Sequence, residues 1–399
     1  MGINLGREIV AEKHRLVDEL LPAAGFDTWL VFTREAMDPI CPLVVGTQFV
    51  GLAAFLFTEG ARIAVCADYD AMALERLDVF DRVVPYSLGI DEPLANVLRD
   101  LNPSRIGVNY SPSDDRADGL SHGLYLTFEE VLEEAAPGAQ LVSAEKLVQS
   151  VRARKTQEEI RRIRGAIEVA ERIFRQMITF ICPGRTEMDI GLFAKQRAED
   201  LGARLAEDSL PIVATGKAGL GHRGPSDAVV TAGDVVVIDL GVCLQGYHSD
   251  FARTFFVPES TGTIPPSLKY RLETVRDAIA LAHEMIRAGV RGYEPKEATD
   301  QFIRDRGIAP PRFALGHQVG TACHDGGLCL APRTPRYRGR AEGKIEEGNV
   351  FTLEPFLVPA ADEDELPVGI EEMILVTKDG CEWLTSRQVG LWITEPAGH

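Results

Sequence analysis

The stretch VVVIDLGVCLQGYHSDFART, residues 235–254, contains two apolar runs, and each run carries an aspartate, Asp239 or Asp250. Runs of Val and Ile that are broken by Gly241 and Gly246 are typical of a β-hairpin or of two adjacent strands. A carboxylate inside so apolar a strand costs free energy unless a partner meets it. We therefore expect both aspartates to face one shared site, and the rest of the chain has to supply its other components.

Composition limits the classes of function that this chain can have. It has 399 residues, enough for two cores, and a formal net charge of −18, which argues against nucleic acid or an anionic membrane as partner. Its seven cysteines form no CxxC pair, which suits free thiols in a reducing cytoplasm. No apolar run approaches the roughly 18 residues of a membrane span. We expect a cytoplasmic protein without a membrane segment.

The chain divides into two predicted domains, residues 1–150 and 151–399. In the first, short apolar runs alternate with helical stretches, which indicates a small α/β domain. These runs are TWLVF (28–32), GLAAFLF (51–57), RIAVC (62–66) and RIGVN (105–109). In the second, apolar residues at helical spacing predict a long opening helix that contains Ile160, Ile163 and Phe174.

The second domain contains a pattern that occurs twice. The segments 184–202 and 289–307 have the same length, begin and end on glycine, and each follows a predicted helix. Each also leads into apolar sequence that ends on a carboxylate, VVVID at Asp239 and VFTLE at Glu354. We expect two helix-helix-hairpin halves around a pseudo-twofold axis, with a site between them.

The second half adds His317 and Glu371 to the carboxylates Asp239, Asp250 and Glu354. If these groups converge, like charges at close range would force most of the carboxylates to protonate. Two divalent cations would remove this penalty, since four negative charges would meet four positive ones. A set of oxygen donors with one nitrogen suits Mn, Co, Fe or Zn in a two-metal site better than a structural zinc.

These residues and their surroundings resemble the pita-bread-fold metallopeptidases, the family of methionine aminopeptidase, prolidase and aminopeptidase P. The residues that carry the likeness lie in five blocks in the family's order: GHRGPSDAVVTAGDVVVIDLG (221–241), GYHSDFART (246–254), GHQVGTACHD (316–325), EEGNVFTLEP (346–355) and GIEEMILVTKDG (369–380). The resemblance implies an α+β fold, in which a small creatinase-like α/β domain precedes a pita-bread catalytic domain. It covers essentially the whole chain and is closest to the creatinase, prolidase and aminopeptidase P branch.

The resemblance also implies a role for each site residue. Asp239 would bind one metal ion alone, His317 and Glu354 would bind the other, and Asp250 and Glu371 would bridge the two. Manganese is the metal we expect first, with cobalt, zinc and iron as alternatives. The shared hydroxide would attack the scissile carbonyl. Glu354 would accept a proton, and His222 and His324 would hydrogen-bond the substrate and the developing charge. Arg253 is expected to pair with a carboxylate of the site.

The substrate implied is a small peptide, with cleavage of an Xaa-Pro bond in dipeptides or at peptide N-termini, by a homodimer. Three departures from the family's pattern bear on specificity. Gly369 stands where an arginine is common, Phe313 where a histidine is common, and Asp325 follows His324 where a glutamate is frequent. We place Phe313 among the substrate-binding residues. One of the arginines in APRTPRYRGR (331–340) is a candidate to grip a substrate carboxylate instead.

Two other interpretations of the function stay open. The first is an enzyme of the same fold that acts on a small zwitterion or other small amide, as creatinase-like or ectoine-hydrolase-like members do. The second is a non-catalytic binding protein, which the presence of all the ligand residues argues against.

Overall fold

The computed structural model describes residues 5–216, 223–259, 262–359 and 365–395. The chain forms two compact units, Met1–Glu158 and Glu159–His399. The predicted functional domains, residues 1–150 and 151–399, stay a prediction, because a compact unit of structure need not be a unit of function. Within the described residues, no helix combines the length and apolar character that crossing a membrane requires.

The first unit is built on one mixed sheet, and the four apolar runs predicted as strands all take part in it. The strands lie in the order β4-β3-β2-β1-β5-β6, with β1, β2 and β3 antiparallel and the others added in parallel. The strands are β1 (Thr28–Arg34), β2 (Leu52–Thr58), β3 (Ala61–Ala67), β4 (Arg82–Tyr86), β5 (Arg105–Val108) and β6 (Gln140–Ser143). The helices are α1 (Arg7–Leu20), α2 (Cys41–Val44), α3 (Asp68–Leu77), α4 (Asp91–Leu101), α5 (His122–Ala135) and α6 (Glu145–Ala153).

The second unit repeats one order of elements, two helices followed by antiparallel strands. The helices are α7 (Gln157–Phe180), α8 (Glu187–Asp200), α9 (Pro266–Met285) and α10 (Tyr293–Asp305). The first group of strands consists of β7 (Arg204–Leu205), β8 (Ile212–Thr215), β9 (Val235–Leu244) and β10 (Tyr247–Phe256). The second consists of β11 (Val350–Leu353), β12 (Glu372–Val376) and β13 (Cys381–Trp383), and β14 (Trp392–Ile393) returns to pair with β10.

The glycines that bound the predicted repeat adopt matching backbone conformations. Gly184 and Gly289 both have φ of +92°, and Gly202 and Gly307 have φ of +73° and +75°. Such left-handed values favour glycine, which has no Cβ to clash with the backbone. Equivalent turns therefore enter and leave the second helix of each half, as expected for a repeated unit.

The core of the second half lies between its first helix and its strands. Leu272 and Ile279 of α9 are buried in one apolar cluster with Phe351, Leu353 and Ile374 of the facing sheet. The predicted helix positions Ile160, Ile163 and Phe174 are likewise buried on α7. Packing of this kind fixes the strand ends, where the polar residues of interest lie.

Candidate active site

The predicted hairpin forms, and its register places both aspartates on one face. Strands β9 and β10 pair antiparallel, with Asp239 opposite Ala252 and Asp250 opposite Gly241. Asp239 and Asp250 are therefore diagonal neighbours on the same side of the sheet. The turn consists of Gln245 and Gly246, both with positive φ, as a two-residue hairpin requires.

Gly241 breaks the run of Val and Ile residues in the sequence but does not interrupt the strand. It lies within β9, opposite Asp250. A Cβ at this position would lie 2.6 Å from the Cβ of Ala206 and 3.0 Å from the Sγ of Cys323. Glycine is therefore required here by close approach of neighbouring segments, beside the carboxylate of Asp250.

The second sheet brings two glutamates to the same region. Glu354 follows β11, and Glu371 immediately precedes β12. Because β11 and β12 are antiparallel, with Leu353 opposite Glu372, the end of one strand lies beside the start of the other. The Glu371 N–H donates to the carbonyl of Ala252 at 3.2 Å, which joins this sheet to the hairpin.

His317 is positioned by backbone contacts with β11. Its carbonyl accepts a hydrogen bond from the Thr352 N–H at 3.0 Å, and its own N–H donates to Thr352 Oγ1 at 3.2 Å. These contacts hold its Nε2 3.5 Å from Glu354 Oε1 and 3.7 Å from Asp250 Oδ2. An imidazole nitrogen thus faces carboxylates from both halves of the unit.

The donor atoms converge closely enough to hold a cation. One side-chain donor from each of Asp250, His317 and Glu371 lies within 4.8 Å of the other two. These residues line a cavity of about 340 Å³. The predicted site residues in its walls are Asp239, Asp250, His317, His324, Glu354 and Glu371. The ring of His324 lies 4.2 Å from that of His317, measured between centroids.

Burial makes this cluster electrostatically unfavourable by itself. Burial, and then mutual repulsion, raise the pKa values of Asp250, Glu354 and Glu371 well above the usual range. Burial, together with the neighbouring His324, lowers the pKa of His317 to about 3, so its imidazole is neutral and able to bind a metal. A set of buried carboxylates with one neutral imidazole fits divalent cations, which would supply the missing positive charge.

Two of the predicted site residues are not among the described residues that line this cavity. His222 lies outside the described residues. Phe313 lines a separate cavity of about 690 Å³, where its ring packs edge to face against Phe356 at a centroid distance of 6.5 Å. The structure therefore does not bring Phe313 together with the carboxylates.

Arg253 pairs with a carboxylate, but with Glu372 and not with a residue of the cluster. The two side chains are buried, and Nη2 lies 3.0 Å from Glu372 Oε2. Nη1 donates at 2.7 Å to the backbone carbonyl of Glu371. The ion pair is therefore formed outside the cluster, while the charge of Arg253 still opposes the rise in the pKa of the Glu371 carboxyl.

No residue of the arginine-rich segment 331–340 lines the cavity, although the charge of Arg340 acts on His317 and helps to lower the pKa of its imidazole. Arg333 forms an ion pair of 2.8 Å with Glu297 and lies over the ring of Tyr293. Arg340 donates through Nε to the carbonyl of Gly327 at 2.8 Å. Among the described residues that line the cavity, none comes from this segment.

The structure adds a pair of residues that sequence reasoning missed. Arg223 lines the cavity, and the buried carboxylate of Glu187 accepts hydrogen bonds from both of its Nη atoms, at 2.7 and 2.9 Å. The pair is far apart in sequence, so no spacing predicts it. The available signal is the helix start Thr186-Glu187-Met188-Asp189, where Asp189 closes the capping box and leaves Glu187 for another partner.

Solved structures with the same architecture cover nearly the whole chain. An X-Pro aminopeptidase from Thermotoga maritima MSB8 superposes with a TM-score of 0.75 at 25% identity, over 96% of this chain and 99% of that one. A Xaa-Pro dipeptidase from Bacillus anthracis gives a TM-score of 0.77 at 24% identity, over the same shares of the two chains. The expected α+β pita-bread fold is thereby confirmed.

Sequence comparison gives the same result. A Xaa-Pro dipeptidase from Pyrococcus horikoshii is 29% identical over 272 residues, which are 68% of this chain and 73% of that protein. The sequence profile of metallopeptidase family M24 matches residues 161–378, more than half of the chain and the part that carries the cavity. The expectation of a peptidase is confirmed, and the chain belongs to metallopeptidase family M24.

Proposed function

We propose that this M24 peptidase cleaves the Xaa-Pro bond of dipeptides or of short peptides at their N-termini, with two divalent metal ions. The observation that carries the proposal is the convergence of Asp250, His317 and Glu371 within 4.8 Å, in a cavity that Asp239 and Glu354 also line. The Xaa-Pro dipeptidases and the X-Pro aminopeptidase among the similar proteins support the choice of bond.

The proposed ligands divide into terminal and bridging residues. Asp239 would bind one ion, and His317 and Glu354 would bind the other. Asp250 and Glu371 would each bind both ions. This division agrees with the hairpin, where Asp239 and Asp250 are diagonal neighbours, and with the position of His317 between Asp250 and Glu354. The predominance of oxygen donors favours manganese, with cobalt, zinc or iron as alternatives.

The protein's own residues would then orient the substrate and move protons. When bound, divalent ions lower the pKa of a water molecule and polarise a carbonyl. Glu354 would accept a proton from the attacking water and pass it to the leaving nitrogen. His324, beside His317 in the cavity wall, would donate a hydrogen bond to the substrate, as would His222.

The size of the cavity favours a small substrate. About 340 Å³ is near the lower end of the range for small-molecule sites, so a dipeptide fits it better than a folded protein. The activity belongs to the second unit, since the family profile and the cavity both fall within it.

We further propose a cytoplasmic homodimer. All seven cysteines are free in the structure, and most are buried, which suits a reducing compartment. The dimer is proposed from the resemblance to the creatinase, prolidase and aminopeptidase P branch. Size-exclusion chromatography with light scattering tests the dimer, and a monomeric mass at micromolar concentrations would contradict it.

A substrate and metal screen tests the proposed function. The metal-free protein is supplied with Mn, Co, Zn or Fe and assayed against Xaa-Pro dipeptides, longer Xaa-Pro peptides and dipeptides without proline. We expect cleavage of Xaa-Pro dipeptides that requires added metal and is lost in Asp250→Ala and Glu371→Ala. Activity that survives either substitution would refute the two-metal mechanism. Preference for dipeptides without proline would refute the proposed specificity.

A further inference from the structure

Glu187 is a buried carboxylate that organises one wall of the active-site cavity. It lies in the first turn of α8 and is fully buried. It accepts hydrogen bonds from the Thr215 N–H at 2.9 Å, from the Ser226 N–H at 2.9 Å and from Ser226 Oγ at 2.6 Å. With the two bonds from Arg223, five donors meet one carboxylate. These donors come from segments on both sides of residues 217–222.

The hydrogen bonds keep Glu187 ionised despite its burial. They outweigh desolvation and lower its pKa from 4.5 to about 2, with the side chains of Arg223 and Ser226 as the main favourable causes. The buried, ionised carboxylate of Glu187 therefore fixes the orientation of the Arg223 guanidinium, as is usual in bidentate Arg-carboxylate pairs.

Arg223 keeps donors for a further partner. Nη1 donates to Glu187 and, at 3.3 Å, to the carbonyl of Gly224, while Nη2 uses one hydrogen for Glu187. The remaining N–H groups, on Nε and Nη2, lie along one edge of the guanidinium. They have no partner among the described residues, and about 36% of the side chain is exposed. Such an edge matches the two oxygens of a carboxylate.

The composition of the cavity indicates what that partner is. Arg223 is the one lysine or arginine among the described residues that line it, whereas Glu207 and the metal-site carboxylates are acidic. A dipeptide is a zwitterion, so its terminal carboxylate needs a cationic contact away from those acids. Gly369 has no side chain to provide one, and its N–H and carbonyl are both bonded to Thr254 Oγ1.

We propose that Arg223, held in place by Glu187, binds the terminal carboxylate of the peptide substrate, which makes Arg223 a specificity-determining residue and Glu187 a positioning residue. The inference rests on the proposed peptidase function and adds the way in which this chain, with glycine at position 369, recognises a free C-terminus. It replaces the hypothesis that an arginine of segment 331–340 does so, since those side chains do not line the cavity.

Binding of a dipeptide analogue that cannot be cleaved tests this proposal. The analogue carries a reduced methyleneamine in place of the scissile amide and is prepared as the free acid and as the C-terminal carboxamide. Calorimetry on the manganese-loaded protein gives the ratio of the two dissociation constants. We expect the wild type to bind the acid about ten- to a hundredfold more tightly, the range expected for hydrogen bonds to a charged group. Arg223→Met should bring the ratio close to one.

The matched control is Arg333→Met, which removes another carboxylate-paired arginine outside the cavity and should leave the ratio unchanged. Arg223→Lys tests whether the two-donor geometry of the guanidinium matters, since the single ammonium of lysine should retain only part of the preference for the acid. Glu187→Gln should lower the ratio with the fold intact by circular dichroism. If Arg223→Met fails to fold, these two variants decide the question alone.

The outcomes separate this proposal from the proposed function. A ratio near one in the wild type, or the full wild-type ratio retained in Arg223→Met or in Arg223→Lys, overturns the role of Arg223 whatever the activity. A ratio that falls in these variants and persists in Arg333→Met supports it. Absence of Xaa-Pro cleavage by a wild type that still prefers the acid refutes the proposed function and leaves the carboxylate site standing.

Discussion

Substitution of Gly316 by alanine should move the segment that carries His317 away from strand β11 by a small, calculable distance. Gly316 precedes His317 and packs against β11, so that an added Cβ would lie 1.9 Å from the backbone oxygen of Thr352. An ordinary contact needs at least 3.4 Å. The two segments must therefore move apart by about 1.5 Å, since both close atoms belong to backbone and cannot rotate away.

This displacement has two costs. It would break the bonds between His317 and Thr352, which are 3.0 and 3.2 Å long, at about 1 kcal/mol each. Overpacking adds about 1 to 3 kcal/mol, so the free energy of unfolding should fall by about 3 to 5 kcal/mol. His317 Nε2 would also move from its place 3.5 Å from Glu354. A shift of this size at a reacting centre typically costs about a hundredfold in rate.

Urea unfolding of the metal-free protein measures the first effect, and manganese titration with the Xaa-Pro assay measures the second. Gly380→Ala is the matched control, because its Cβ meets no atom within 4 Å and should change the free energy of unfolding by less than about 0.5 kcal/mol. A Gly316→Ala protein with unchanged unfolding midpoint and manganese affinity would refute the reasoning.

Three further predictions follow from buried charges. Arg253→Met leaves Glu372 uncompensated and should cost about 3 to 5 kcal/mol in urea unfolding, and a loss below about 1 kcal/mol would contradict it. Manganese at a hundred times its dissociation constant should stabilise the wild type by about 2.7 kcal/mol, and thermal unfolding should show no such gain in Glu371→Gln. The depressed pKa of Glu187 stabilises the fold above pH 4.5, and this stability is lost as the pH falls towards 2. Between pH 4.5 and 2, the free energy of unfolding of the wild type should therefore fall by about 3 kcal/mol more than that of Glu187→Gln. Equal pH dependence of the two free energies would contradict this prediction.

Local sequence signals predicted the elements that carry the active site. Alternating apolar runs and Gly246 were sufficient for the hairpin of β9 and β10, because a tight turn brings adjacent strands together without any distant contact. Two pairs of equally spaced glycines were sufficient for the repeat, since each pair holds a backbone conformation that other residues avoid. The convergence of Asp250, His317 and Glu371 was expected from the repeat and from the family resemblance, and the structure brings their donor atoms together.

Contacts between distant segments could not be predicted in this way. Arg253 forms its ion pair with Glu372, the first residue of β12, and contacts Glu371, which precedes the strand, through the backbone carbonyl. Phe313 was assigned to the substrate site from its place in a motif, but it lines a different cavity. The Glu187-Arg223 pair links a helix start to a loop, and neither residue has a periodic or spacing signal that marks it.

The duplicated order of elements has a consequence for how the enzyme is made. Asp239 and Asp250 lie on the first group of strands, while His317, Glu354 and Glu371 belong to the part of the chain synthesised later. On a ribosome, the first half would emerge with its hairpin aspartates but without the imidazole and glutamates. Tight capture of metal must then wait until the last strands have docked. Metal would thus bind tightly only after folding is complete, and it would stabilise only chains in which both halves are correctly assembled.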